Sequence, residues 1–165
     1  MGVPDILAAF RDHPVRTFAP GETVFEQAEL TGLLFVLVEG AAEVIKDGVS
    51  VATTAEPGAI FGDLSALLGV PHTATVRAVR ASRFHVIRNP RVFLKENPPA
   101  CLLLCEMLAR RLDAVNKYLV NVKQQFTGND HLGMVDGVLD TLMHRHPRQR
   151  VAPRESTLRD PEVSE

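Results

Sequence analysis

Gly62, Asp63, His72 and Thr73 fall within one short stretch, IFGDLSALLGVPHTATVRA (60–78), and have the types and order needed to hold a phosphorylated sugar ring. A strand that ends at Gly62 and passes into one turn of helix exposes backbone N–H groups at a helix start, where the dipole favours an anion. Gly62 lets a ligand approach the backbone closely. Asp63, at the same helix start, can accept hydrogen bonds from a sugar hydroxyl. Thr73 can donate its hydroxyl to a phosphate oxygen, and His72 can add a second donor or, when protonated, a charge. The same residues also suit ordinary structure, with Asp63 as a helix cap, Thr73 as a strand residue and His72 in a solvated loop.

Other chemistry is sparse. No nucleophile stands with a base at a motif spacing, so no catalytic residue is assigned and an enzyme is not expected. His13, His85, His131, His144 and His146 carry no metal signature, and HRHPRQR at 144–150 reads as a solvated basic tail. The two cysteines, Cys101 and Cys105, lie four apart in an apolar run, with no second pair to complete a zinc or iron–sulfur site. They read as small core hydrophobes in a reducing, cytoplasmic setting. Neither a metal nor a cofactor is expected.

The elements that must position the stretch follow from the pattern around it. Ile6, Leu7 and Phe10 share one face of a short helix over Asp5 to Arg11, which Pro14 stops. From Val15 to Ile87, brief β-branched and apolar runs broken by Gly, Pro or Asp have the rhythm of a sandwich or barrel of short strands. Asp47-Gly48 is a tight-hairpin signal between two antiparallel strands. After Ile87 the period turns helical: Asn89 with Pro90 starts a short helix, and Asn97 with Pro98 starts a long one. Along that helix Cys101, Cys105, Leu108, Leu112, Val115, Leu119, Val122 and Phe126 recur at spacings of four and three, a heptad seam that seeks a second helix. Alternatively the helix packs on its own strand domain, through off-seam Leu103, Leu104, Met107 and Tyr118. A short amphipathic piece (131–144) and a polar, proline-broken tail complete residues 127–165.

The 165 residues are 45% hydrophobic and 23% charged, which fits one core plus a tail. A formal net charge of −2 supplies no overall field to attract nucleic acid or an anionic membrane, and neither is expected as a direct partner. The N-terminal MGVPDILAAFRDHPV has too short an apolar stretch for a signal peptide or membrane span.

From about Val15 to Phe126 the sequence resembles the cyclic-nucleotide-binding domains of catabolite gene activators, protein kinase A regulatory subunits and gated channels. The resemblance lies in FAPGETVFEQ, in LLFVLVEGAAEV with Gly40 after the strand, in IFGDLSALL and PHTATVRA, and in ARRL at 109–112. It implies a mainly β fold with flanking helices: an eight-stranded, jelly-roll-like β-roll with a phosphate-binding cassette and a long C-terminal helix (about 98–126), all within residues 1–126. It further implies main-chain contacts from Gly62 and Leu64 to ribose and phosphate, contacts from Thr73 and Ala74 to the cyclic phosphate, and a pocket wall closed by Phe61. Ser65 joins this set. Arg111 and Asn116 fall where the activator branch's helix meets phosphate or base.

Three positions depart from the family pattern. Asp63 stands for a glutamate that accepts the ribose 2′-hydroxyl, and is one methylene shorter. Ala28 stands where many relatives have a turn glycine. His72 stands for an arginine against the cyclic phosphate, and a mostly neutral imidazole cannot supply that forked, permanent charge. Losing a charge-assisted bond of about 1.5–3 kcal/mol weakens binding roughly ten- to a hundredfold. The resulting expectation is a stand-alone sensor for cyclic AMP, with cyclic GMP as the other candidate. It would act through its long helix, as a homodimer over residues 101–126 and on an effector protein, without the helix-turn-helix a transcription activator needs. The alternative is a degenerate cassette that serves as a dimerisation or interaction module.

Overall fold

The computed structural model describes residues 3–125 and Val138. Contacts divide the chain into two units, residues 1–109 and 110–165. In order, the elements are α1 (Val3–Phe10), β1 (Val15–Phe18), β2 (Thr23–Phe25), β3 (Leu34–Glu39), β4 (Ala42–Lys46), β5 (Val49–Thr54) and β6 (Ile60–Phe61). There follow α2 (Asp63–Leu68), β7 (Thr75–Ala78), β8 (Ser82–Ile87), α3 (Pro90–Glu96) and α4 (Pro98–Gln125). Eight strands form two antiparallel four-stranded sheets, ordered β1-β8-β3-β6 and β2-β7-β4-β5. The expected β-roll and long helix are both present.

The uninterrupted apolar run Leu33–Val38 has a simple cause: β3 is covered on both faces. Phe35 and Leu37 enter the core between the sheets, where Phe18, Phe84, Val76 and Ala78 meet them. Leu34 and Val36 face the other way, into a second core built with Phe10 of α1, Ala66 of α2, Leu94 of α3, and Ala100 and Leu104 of α4. Each buried Val, Leu or Phe among them contributes roughly 1.5–3 kcal/mol. Phe84 sits at the centre of the first core, edge-on to Phe18 at 5.5 Å and to Phe61 at 6.0 Å.

Turn chemistry follows the sequence in most places. Asp47 and Gly48 both take positive φ, 51° and 78°, and Lys46 pairs with Val49 across them, the tight hairpin expected of Asp-Gly. Gly40, after β3, has no room for a side chain, since a Cβ would land on Ser82. Ala28 keeps the left-handed turn that a glycine would suit, at φ 69°. Asn89 occupies the N-cap of α3 without a side-chain bond, and Pro90 follows it. Asn97 instead ties two helices: its Nδ2 donates to the Phe93 carbonyl (2.9 Å) and its own carbonyl accepts from Cys101 N–H (3.0 Å).

On α4 residues of both sets do the packing: seam residues Cys101 and Leu108 are half-buried against the second core, whereas off-seam Tyr118 is exposed. Leu103 and Leu104 are buried, and Met107 is half-buried against the second core. Of the seam, Cys105, Leu112 and Val115 are exposed, whereas Phe126 lies outside the described residues. The short helix expected at 131–144 and the tail also lie outside them, apart from Val138. Among the described residues, no helix is long and apolar enough to cross a membrane.

Candidate ligand-binding site

The cassette begins where β6 ends. Gly62 takes φ 80° and ψ 9° as the N-cap of α2, a left-handed conformation that costs a residue with a Cβ about 1–2 kcal/mol. Space excludes a side chain as well: a Cβ would come within 2.8 Å of the Leu33 carbonyl oxygen and 3.2 Å of His72 Cε1. Close approach at this glycine is therefore already made by the protein itself.

α2 is short, and its first backbone bond runs from Ala66 N–H to the Gly62 carbonyl at 2.9 Å. The N–H groups before it have no acceptor within the helix, which is the arrangement that suits an anion. Asp63 is not the cap, because Gly62 holds that position; its carboxylate is buried at the first helical residue, where the dipole favours negative charge. Leu64 is exposed. Ser65 is buried, and its Oγ has no hydrogen-bond partner among the described residues. Phe61 lies in the inter-sheet core against Phe84. Thr73 is exposed and Ala74 half-buried in the chain that leads to β7.

His72 departs most from a solvated loop residue, with only 4% of its surface exposed. Its ring stacks on Phe25, centroids 3.8 Å apart and planes 20° from parallel, and its Nε2 lies 2.7 Å from Thr31 Oγ1. Thr31 Oγ1 also accepts from Leu33 N–H at 3.2 Å. The backbone is held too: Ala28 N–H donates to the His72 carbonyl and His72 N–H to the Glu29 carbonyl, both at 2.8 Å. Burial pushes the imidazole pKa below its ordinary value, while the nearby Glu29 carboxylate pulls it up. The ring is thus neutral at pH 7 and lends no charge to a phosphate.

Sequence reasoning missed the segment that does this holding, residues 25–31. Gln27 extends the clamp, with its N–H donating to Thr75 Oγ1 at 2.9 Å. Its side chain exchanges two bonds with Asp47 at the hairpin tip, Nε2 to Oδ1 at 2.7 Å and Asp47 N–H to Oε1 at 2.9 Å. No spacing in FEQAELT signals these partners, because the β2–β7 pairing brings them together.

Arg111 and Asn116 belong to the second unit. Arg111 is exposed, and Asn116 is half-buried with a buried Oδ1 that has no hydrogen-bond partner among the described residues. The cassette residues, 61 to 74, all lie in the first unit. Among the described residues, no three His, Cys, Asp or Glu side chains gather to hold a metal ion.

Comparison with known proteins bears on the fold and the family. Residues 15–93 match the family model described as the cyclic nucleotide-binding domain, a binding module rather than a catalytic one. An uncharacterized ABC transporter ATP-binding protein of Mycobacterium tuberculosis is 39% identical over 62 residues, 35% of this chain and 19% of that protein. The cAMP-dependent protein kinase regulatory subunit of Yarrowia lipolytica is 37% identical over 60 residues, 36% of this chain and 16% of that protein. The chain thus spans about a fifth of the length of the curated relatives it matches. The Thermus thermophilus catabolite activator protein superposes with a TM-score of 0.61 at 19% identity, covering 87% of this chain and 83% of the other, a likeness of fold.

Proposed function

Because residues 15–93 belong to the cyclic nucleotide-binding domain family, we propose that this chain is a ligand-sensing module that takes cyclic AMP into the cassette between Phe61 and Ala74. The observation that carries the reading is the left-handed Gly62 that turns β6 directly into α2, with Asp63 buried at the first position of that helix. In this reading the N–H groups of the α2 opening and the exposed Thr73 hydroxyl take the cyclic phosphate, and Asp63 accepts from the ribose hydroxyl. Gly62, Leu64, Ser65 and Ala74 line the ligand.

Output runs through α4. Exposed Leu112 and Val115 on the heptad seam support a homodimer through that helix, and the buried Asn116 Oδ1, which has no hydrogen-bond partner among the described residues, supports a polar contact completed by a second helix. Signalling then passes to an effector protein in the cytoplasm, without direct contact to nucleic acid or membrane.

One observation favours a second reading. His72 is turned in, stacked on Phe25 and uncharged, so the cassette lacks the cation that the resemblance places there. The roll would then be a platform for dimerisation or protein interaction. Isothermal titration with cyclic AMP and cyclic GMP, near pH 7 and again near pH 6, separates the two. A Kd of about 1 µM or tighter supports the sensor; no heat with either nucleotide, and an unshifted Tm, supports the platform. A sharp gain on His72→Arg marks a degenerate cassette, and no gain marks a site built around the histidine.

A further inference from the structure

Cys101 and Cys105 lie one turn apart on the part of α4 that belongs to the first unit. Both are free thiols, and they differ in setting: Cys101 is half-buried against the second core, whereas Cys105 is exposed. The expected role of core hydrophobe therefore fails for Cys105. Burial together with the nearness of Cys105 holds the Cys101 thiol above its ordinary pKa.

Two reactions are open to such a pair, and helix geometry separates them. Side chains four residues apart on a helix have Cβ atoms about 5–6 Å apart, whereas a disulfide needs about 3.5–4.5 Å. Direct oxidation would have to unwind the turn. A bridging atom would not: sulfur bonds of about 2.3 Å to a tetrahedral centre place two sulfurs ~3.8 Å apart, which side chains with Cβ atoms about 5–6 Å apart reach by turning toward each other. Thiolate sulfur is a soft ligand that selects soft centres.

We propose that Cys101 and Cys105 form a two-thiolate site for a soft, thiophilic metal or metalloid centre that bridges one turn of α4. Since no third His, Cys, Asp or Glu joins them among the described residues, the chain supplies two ligands. The remaining positions fall to the centre's own substituents, to solvent or to the same pair on a second copy. The chemistry balances without an oxidant. Phenylarsine oxide forms two As–S bonds while its oxygen leaves as water with both thiol protons, and arsenic stays trivalent. A soft divalent ion such as Cd2+ displaces the two protons to solvent.

The test titrates the full chain, kept reduced by a phosphine, with phenylarsine oxide and separately with Cd2+, against Cys101→Ser and Cys105→Ser. Wild type should take up one arsenical per chain, hold it against excess monothiol and release it to a dithiol. Each single variant should lose more than about tenfold in affinity. Circular dichroism checks that the variants fold, and because Cys105 is exposed its variant carries the test if Cys101→Ser does not. The Cd2+ arm reads the ultraviolet charge-transfer band of a thiolate–metal bond. One ion per chain indicates a site completed by solvent, one per two chains indicates two copies sharing a centre, and binding of the arsenical alone restricts the site to metalloids. No uptake of either probe by wild type, or full affinity in Cys105→Ser, overturns the proposal.

Discussion

The imidazole of His72 lies nearly flat on the ring of Phe25, 3.8 Å between centroids, and its far nitrogen meets the Thr31 hydroxyl at 2.7 Å. A ring–ring contact contributes about 0.5–1.5 kcal/mol beyond area burial, and the hydrogen bond about 1 kcal/mol. His72→Ala should therefore lower stability by about 2–3 kcal/mol once the cavity it leaves is included. Urea unfolding should register this as a lower midpoint with an unchanged slope. A loss under about 0.5 kcal/mol would show that the stack holds nothing.

Acid should weaken the fold, and His72 fixes the sign. Unfolded, its imidazole titrates near about pH 6.5; folded, burial holds it lower. Between those values the unfolded chain binds a proton that the folded chain does not, so stability rises with pH across the window. The full contribution is present above about pH 6.5 and is lost as pH falls toward the folded value. His13, lowered by its own burial and by neighbouring His85, adds the same sign. Urea midpoints measured from about pH 8 to about pH 5 should fall below about pH 7, and His72→Gln should flatten the curve in part. Glu29→Gln removes the carboxylate that opposes the shift and should steepen it.

Ala28 holds φ 69° at the turn whose N–H bonds the His72 carbonyl. The strain of about 1–2 kcal/mol is partly offset by the extra unfolded-state freedom of glycine, about 0.4–1 kcal/mol. Ala28→Gly should thus stabilise by up to about 1 kcal/mol, seen as a rise in Tm. Gly62→Ala should do the reverse, by about 2 kcal/mol or more, because its Cβ has backbone oxygen in the way. A neutral Gly62→Ala would mean that the Leu33 carbonyl yields freely.

The exposed seam of α4 makes a hydrodynamic prediction. Leu112→Glu with Val115→Glu places charges on two apolar residues that are nearly half exposed in the single chain, at 44% and 49%. If the helix pairs with a second copy, sedimentation velocity should show the dimer of the wild type replaced by monomer, with the unfolding midpoint of the strand unit little changed. Equal sedimentation of both proteins would rule out pairing through this seam.

Legibility in the sequence tracked the locality of the cause. The Asp47-Gly48 hairpin, the glycine at 62 and the long helix from Pro98 each depend on residues within a turn or two, and all three are where the sequence places them. The direction of His72 depends on Phe25 and Thr31, which are neighbours only after β2 has paired with β7, so a window around PHTATV contains no trace of it. Phe61 is ambiguous for a related reason: an aromatic at a strand end can line a pocket or fill a core, and the position of Phe84 decides. Cys105 is misread because its apolar run is continuous, while Leu103 and Leu104, the neighbours before it, turn to the core.

β3 sends Leu34 and Val36 to the helices and Phe35 and Leu37 to the opposite sheet, so both of its linings are spoken for. A slip of one residue along β8 would trade one lining for the other at every position. The strand therefore has no neighbouring setting to click into, and it transmits a push without absorbing it. Any travel of α3 and the start of α4 is then a glide of whole helices over a fixed anvil, the two moving together because Asn97 alone joins them and bonds to both.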